Sequence, residues 1–494
     1  MDAEGEPVFA VSGVPVKAGN YRAVYRIASG ADGSPAGGNV ICVDMAVRDV
    51  PVEDTAAGGD GDGAVATPNP AIAKAVAFQN IPVVAKVGYD AETNPVKGVY
   101  GLLSLAVSTF GRASAKFVST DGTARFIADG WSGYNPETGD IDIVFSYSGA
   151  QDAGGESRGR YLLAATVHPS GNVSVWMQIE SESFEMEVDP SGWGGKADLS
   201  AFKGRYNVQL PQEIAFGRYP GQTLQGDGGA MAAMSLRMVS PGAVGMGRMA
   251  YVAYLPDGRC ASGVSTLFLD RKGNAHFPYC HAASGAGAFA GELVITPYAK
   301  DAHTQSPNWF VKAADGITPY WRCGADMAFA GLSGGESAGL GVYGGYYDGD
   351  ETLLYSCCLT TYGTASLWFV ADRLVSPRDG GVSAVMAPAP VSILESGGIS
   401  VPDDAGSNPS RLRVSFDRAN GVFSGTARMY FGENARKRTL SFRGVVMPGW
   451  GGCEDCGRPL PRPVGAGPCW FSDNLDGYRF RSGGVMAIDV IKDE

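Results

Sequence analysis

Short turn sequences recur along this chain, and between them apolar and polar residues alternate. A chain patterned this way is committed to antiparallel sheet. Asp140-Ile141-Asp142-Ile143-Val144-Phe145-Ser146-Tyr147 and Asn172-Val173-Ser174-Val175-Trp176-Met177 alternate with period two, which places one face of a strand in a core and the other toward solvent. His168-Pro169-Ser170-Gly171-Asn172 separates Tyr161–Val167 from Val173–Ile179. Ser119-Thr120-Asp121-Gly122, Pro256-Asp257-Gly258, Asp270-Arg271-Lys272-Gly273-Asn274 and Arg418-Ala419-Asn420-Gly421 supply Gly, Pro, Asn or Asp where the backbone must reverse. Turns fall roughly 8–16 residues apart, the spacing of sandwiches and barrels. Pro211–Ala215 and Ala230–Met238 are the short helix candidates. The expected fold class is all-β: antiparallel β-barrel or sandwich domains.

Residues 53–75, EDTAAGGDGDGAVATPNPAIAKA, lack periodicity and are rich in Gly, Ala, Pro and Asp, so they read as a linker. Residues 1–52 hold strand patterns at Tyr21–Ile27 and Val40–Val47 and read as a partial immunoglobulin-like segment. The remainder divides into an antiparallel barrel-like domain at 76–325 and a second antiparallel β domain at 326–494, with the join near Cys323–Leu332. Gly98-Val99-Tyr100-Gly101 recurs identically at Gly341-Val342-Tyr343-Gly344, and Lys203-Gly204-Arg205-Tyr206 is related, which suggests internal repetition.

The chain has 494 residues, of which 45% are hydrophobic and 18% charged, so a substantial core is available. Its net charge of −12 and the reading that no Lys/Arg run is present exclude nucleic acid as an expected partner. The acidic balance also opposes docking on anionic lipid. No stretch of 18 or more apolar residues occurs, so no membrane insertion by a helix is expected. MDAEGEPVFAVSGVPV lacks the pattern of a signal peptide, and the expectation is a fragment whose export signal lies outside this chain. The nine cysteines are irregularly spaced and do not read as a disulfide framework.

Four segments resemble a β-rich repeat module that adjoins immunoglobulin-like repeats in very large secreted or cell-surface bacterial proteins of unknown function. Asn20–Tyr25 through Met45–Val50 is similar to the closing strands of an immunoglobulin-like repeat. Lys97–Ser119 with Asp129–Pro136 resembles the module's opening sheet. Phe202–Tyr206, Gly247–Asp257, Phe289–Leu293 and Asn308-Trp309 resemble its middle. Leu412–Phe416, Gly421–Thr426, Leu440–Val446 and Gly465–Phe471 resemble its closing hairpins. The resemblance implies export and a β scaffold, and no reaction. The loop Pro448–Pro463 is longer than the module usually has.

Gly335-Glu336-Ser337-Ala338-Gly339 has the letters of a nucleophile elbow, which needs a strand, a sharp turn and a helix. No βα alternation surrounds it, and His168, His276, His281 and His303 all precede Ser337, whereas that fold places its histidine after the serine. The plainer reading is a loop with two turn glycines. Cys453, Cys456 and Cys469 offer part of a zinc set, a loop disulfide or free thiols. His276, Cys280 and His281 offer metal ligands, or ordinary hairpin residues. Gly58–Gly63, Asp348–Glu351 and Asp473–Gly477 could hold calcium, or be linker and solvated turns. Gly285–Gly291 has the wrong glycine spacing for a dinucleotide fingerprint. Trp131 with Tyr134, Trp193, and Tyr343 with Tyr346 and Tyr347 could form ligand-binding ring platforms suited to sugars, or pack the β core.

The expected function is a non-catalytic structural or adhesive module of a large exported bacterial surface protein. The alternative is a carbohydrate-binding module of a secreted protein. The expected location is extracellular, the possible partners are glycans or other cell-surface components, and no cofactor or metal is expected. The candidate ligand-binding residues are Trp131, Tyr134, Tyr343 and Tyr346.

Overall fold

A computed structural model describes residues 19–26, 40–47, 76–90, 92–108, 112–120, 125–135, 137–147, 161–170, 172–179, 182–188, 199–216, 229–241, 247–270, 272–283, 287–297, 309–324, 332, 335–347, 366–372, 375–376, 382–383, 386, 389–394, 398–431, 436–446, 465–475 and 478–489. These residues are all-β: antiparallel strands, with one 3-10 turn at Ser200–Phe202 and no α-helix among them. The chain separates into two compact units. One comprises 1–76, 105–115 and 127–188, and the other 77–104, 116–126 and 189–494.

Gly19–Arg26 and Val40–Val47 form an antiparallel hairpin. Two strands are not a sandwich, so the described residues do not carry the immunoglobulin-like expectation. An eight-stranded antiparallel sheet then runs in strict chain order from Val76–Tyr89 to Glu182–Val188. Its strands show the expected alternation: Arg112–Ser119 and Val173–Ile179 bury every second residue.

The second unit contains a closed barrel. Met231–Pro241, Gly247–Tyr254, Cys260–Leu269, Ala275–Ala283, Gly287–Pro297, Trp309–Ala313 and Tyr343–Tyr347 follow one another around the wall to Arg205–Phe216, which pairs back onto Met231–Pro241. A short pair, Tyr320–Arg322 and Ser337–Leu340, bridges Gly287–Pro297 to Arg205–Phe216 at another level. Described strands from both sides of the expected join near Cys323–Leu332 therefore belong to one barrel. Tyr343–Tyr347 and Ser337–Leu340, expected in a second domain, are wall strands of the same barrel, because Arg205–Phe216 is long enough to pair with both.

Both helix candidates are strands. Pro211 sits where Arg205–Phe216 changes partners: Arg205–Gln209 pair with Tyr343–Tyr347, and Gln212 onward pairs with Ser337–Leu340 across a register shift. A residue without an N–H is tolerated at such a switch. Ala230–Met238 reads as near-continuous apolar sequence because both faces of the strand are covered at its start. Ala232, Met234 and Leu236 belong to the barrel core, while Met231 and Ala233 are buried on the other side. Burial on two faces overrides the helix propensity of Ala and Met.

The barrel interior is packed with large side chains. Tyr206, Met234, Phe277, Tyr279, Phe289 and Trp321 are all 0% exposed, and each such burial is worth roughly 1.5–3 kcal/mol. A third sheet runs from Ile399–Ser400 through Ala389–Ile393, Ser366–Asp372, Tyr478–Asp489, Gly465–Leu475, Arg436–Val446 and Val422–Phe431 to Arg413–Asp417. Phe369, Phe423 and Phe442 form its ring cluster, with centroids 5.6–6.1 Å apart.

Barrel and third sheet meet through turns. Asn207 on the barrel wall donates through Nδ2 to Asn420 O at 3.1 Å and Val446 O at 2.8 Å. Tyr347 Oη donates to Arg418 O, and Arg481 Nη1 to Asp257 O. Gly258, at φ +80°, lies against the Trp470 indole. The three Gly-Tyr motifs land in unlike settings. Tyr100 stacks on Phe117, buried Tyr206 donates to Phe202 O, and Tyr343 is an exposed donor to Glu213.

Candidate functional site

One seam of the barrel wall is short. Cys260–Leu269 pairs with Gly247–Tyr254 at eight successive positions, and Ala275–Ala283 pairs with Gly287–Pro297 at nine. Between them, Cys260–Leu269 and Ala275–Ala283 pair only at Phe268 with His276 and Leu269 with Ala275. Away from the Asp270–Asn274 turn the two strands part and no longer pair with each other among the described residues. Asp270 holds this turn by accepting from the backbone N–H groups of Lys272 and Asn274, both at 2.8 Å.

Asn80 occupies the parting. It takes a left-handed conformation at φ +59°, which asparagine tolerates better than most residues. Its N–H donates to Ser104 Oγ at 3.2 Å and its Nδ2 to Ser265 Oγ at 3.2 Å. The remaining space is a cleft of about 280 Å³, whose lining includes Lys116, Tyr251, Ser262, Cys280 and His281. Burial, and then the neighbouring Cys280, push the Tyr251 hydroxyl far above its ordinary range, so it remains a neutral donor. Burial, and then Arg259, push His281 below its usual value. An ammonium, a neutral imidazole and hydroxyls thus converge on one cleft. That set suits hydrogen bonding to a polar ligand or an extended strand.

The four predicted ligand-binding residues do not form one platform. Trp131 and Tyr134 lie on Arg125–Tyr134 in the first unit, paired in register with Val144 and Ile141. Tyr343 and Tyr346 lie on one barrel strand in the second unit. Three residues apart, they face opposite sides. Tyr346 packs edge-on to Tyr206 with centroids 5.7 Å apart and lies over Gly204. Tyr343 is 43% exposed at the edge of a cleft of about 300 Å³ with Ile214, Ile317 and Pro319. The Glu213 carboxylate that accepts its hydrogen bond, then burial, raise its pKa. Tyr347 is buried against the third sheet. Trp193, Cys453, Cys456, Gly58–Gly63 and Asp348–Glu351 lie outside the described residues.

Ser337 is 3% exposed and lies on a strand, within 3.3 Å of Arg322 Nε. An elbow would expose it between a strand and a helix. Of its two flanking glycines, Gly335 is a turn residue at φ +86°, while Gly339 lies inside the strand and pairs with Tyr320 and Ile214. His276 is separate from Cys280 and His281. Its Nδ1 meets Glu292 Oε1 at 2.7 Å and its Nε2 faces Asp270 Oδ2 at 3.4 Å. No group of three or more metal-ligating side chains occurs among the described residues.

The cleft residues escaped sequence reasoning, apart from Cys280 and His281, which it weighed as metal ligands. The parting of two consecutive strands leaves no local mark, because the 260–283 hairpin has an ordinary turn. The available hint was Gln79-Asn80 interrupting an otherwise apolar run at Ala75–Ala85.

No family model matches the chain, and no curated protein matches it. Among solved structures, a DUF3598-family protein of unknown function from Nostoc punctiforme is 10% identical. That alignment covers 55% of this chain and 95% of that one, with a TM-score of 0.14. A candidate ATTH protein from Nitrosomonas europaea is 9% identical, over 61% of this chain and 99% of that one, with a TM-score of 0.18. Likenesses this faint carry no inference about function.

Proposed function

We propose that this chain is a non-catalytic structural or adhesive module of a large exported bacterial surface protein, with glycans or other cell-surface components as its partners. The observation that carries this reading is the filled barrel. Tyr206, Met234, Phe277, Tyr279, Phe289 and Trp321 occupy the interior at 0% exposure, so walls, rims and grooves are what the barrel offers a partner. Docking of the third sheet through Asn207, Tyr347 and Gly258 supports a stiff scaffold. An antibody raised against this chain should label intact cells of the source organism. Labelling that appears only after lysis would sink the reading.

A further inference from the structure

We propose that the third sheet carries an oxyanion-binding groove, formed by Arg411, Arg413 and Arg428, that takes an acidic polysaccharide. This deepens the reading above by naming a ligand class.

The groove measures about 670 Å³ and lies between the segment Ile399–Leu412 and the outer rows of two strands, Arg413–Asp417 and Val422–Phe431. Arg413 pairs in register with Thr426, and Arg428 with Thr439 on the next strand. Thr426 and Arg428 are two apart and so share a face. Diagonal neighbours on such a lattice are roughly 7–8 Å apart, so Arg413 and Arg428 present like charges side by side, each with a threonine directly opposite. Among the described residues, no carboxylate lies within ion-pairing distance of Arg411, Arg413 or Arg428. Like charges held together without a carboxylate in ion-pair contact are relieved by a bound anion, and the guanidinium fork matches carboxylate and sulfate bidentately.

The groove is built rather than incidental. Asn408 is 5% exposed and ties the segment together: its Nδ2 donates to Pro402 O and Leu412 O, each at 3.1 Å, and its Oδ1 accepts from Leu412 N–H at 2.7 Å. Arg411 is held at φ +47°, and Ser410 O accepts the Arg428 N–H. The surrounding sequence is charged to match: Arg411 to Arg443 holds eight cationic residues against Asp417 and Glu433, in a chain of net charge −12. Arg436-Lys437-Arg438 within it corrects the reading that no Lys/Arg run is present.

The lining selects among polyanions. It includes no aromatic ring, so bases of single-stranded nucleic acid find no stacking partner. The acidic remainder of the chain repels a densely charged strand running beyond the groove. Arginines interleaved with Thr426, Thr439 and the Asp403 carboxylate suit a chain whose anionic groups are separated by sugar hydroxyls.

The test uses the full chain and a heparin-type sulfated oligosaccharide, titrated calorimetrically at low and physiological salt. Binding should weaken with salt. Arg413→Gln with Arg428→Gln should weaken it about 10-fold or more, with circular dichroism and melting unchanged. Arg248→Gln, an exposed barrel arginine, should leave it unaltered. Absence of binding to both this probe and a polyuronate would overturn the proposal, as would an unaffected double variant. Equal affinity for single-stranded DNA, or for inorganic sulfate alone, would overturn the polysaccharide assignment. Failure of cell-surface labelling would remove the location and leave the groove's chemistry standing.

Discussion

Gly258 and Gly273 sit in the same left-handed backbone region, at φ +80° and +81°. Both were legible in the sequence as turn glycines, but their surroundings differ. A Cβ on Gly273 would meet nothing within 4 Å, whereas one on Gly258 would run into the Trp470 indole. Gly273→Ala should therefore cost only the backbone term, about 1–2 kcal/mol. Gly258→Ala should add displacement of Trp470 and cost roughly 3 kcal/mol or more. Urea midpoints of the two variants decide this. Equal costs would mean that Trp470 does not bear on the turn. Tyr346 makes the same point about single residues. Its sequence setting matches that of an exposed ring, but an odd offset from Tyr343 turns it onto Tyr206.

Ala275–Ala283 illustrates what a strand can hide. Its inward residues Phe277 and Tyr279 follow the alternation plainly, so the strand was legible. Its outward His276 gains meaning only from the neighbouring strand, which brings Glu292 to the imidazole, and from the turn, which brings Asp270. Burial of the ring opposes its charge, but the Glu292 hydrogen bond and charge, with Asp270 behind them, outweigh it and raise His276 above the usual 6.5. A raised folded-state value means the unfolded state binds fewer protons across that window. The contribution to stability is thus complete below about pH 6.5 and declines as pH rises through the folded value. His276→Gln should lack that decline. Denaturation midpoints measured from pH 5 to 9 test it, and identical slopes for the two proteins would refute it.

At the scale of the molecule, the barrel and the third sheet are predicted to unfold together, because Asn207 ties them through two backbone carbonyls in the interior of one compact unit. Asn207→Ala leaves the buried Val446 carbonyl without that donor, a loss of about 1–3 kcal/mol. Calorimetry should show one transition for this unit in the parent chain. The variant should melt lower, and in combination with Gly258→Ala it should resolve into two transitions. Two transitions from this unit alone in the parent chain would contradict the docking of barrel on sheet. The proposed groove belongs to this scale as well. Its arginines come from two strands and a connecting segment, so their charge asymmetry was countable along the sequence while their convergence was not.

Strand identity and turn position are properties of the sequence by itself, because side-chain period and the φ demands of Gly, Asn and Asp act within a few residues. That is why the all-β class and the turns at Asp257-Gly258, Asp270–Asn274 and Asn420-Gly421 could be read directly. Only the tertiary structure decided which edges meet. Closure through Arg205–Phe216, the parting beside Asn80 and the docking of Asn207 on Val446, 239 positions away, depend on distant partners. A turn glycine costs little by being in a turn. What lies against it decides whether it is also a joint, and the local sequence does not record that.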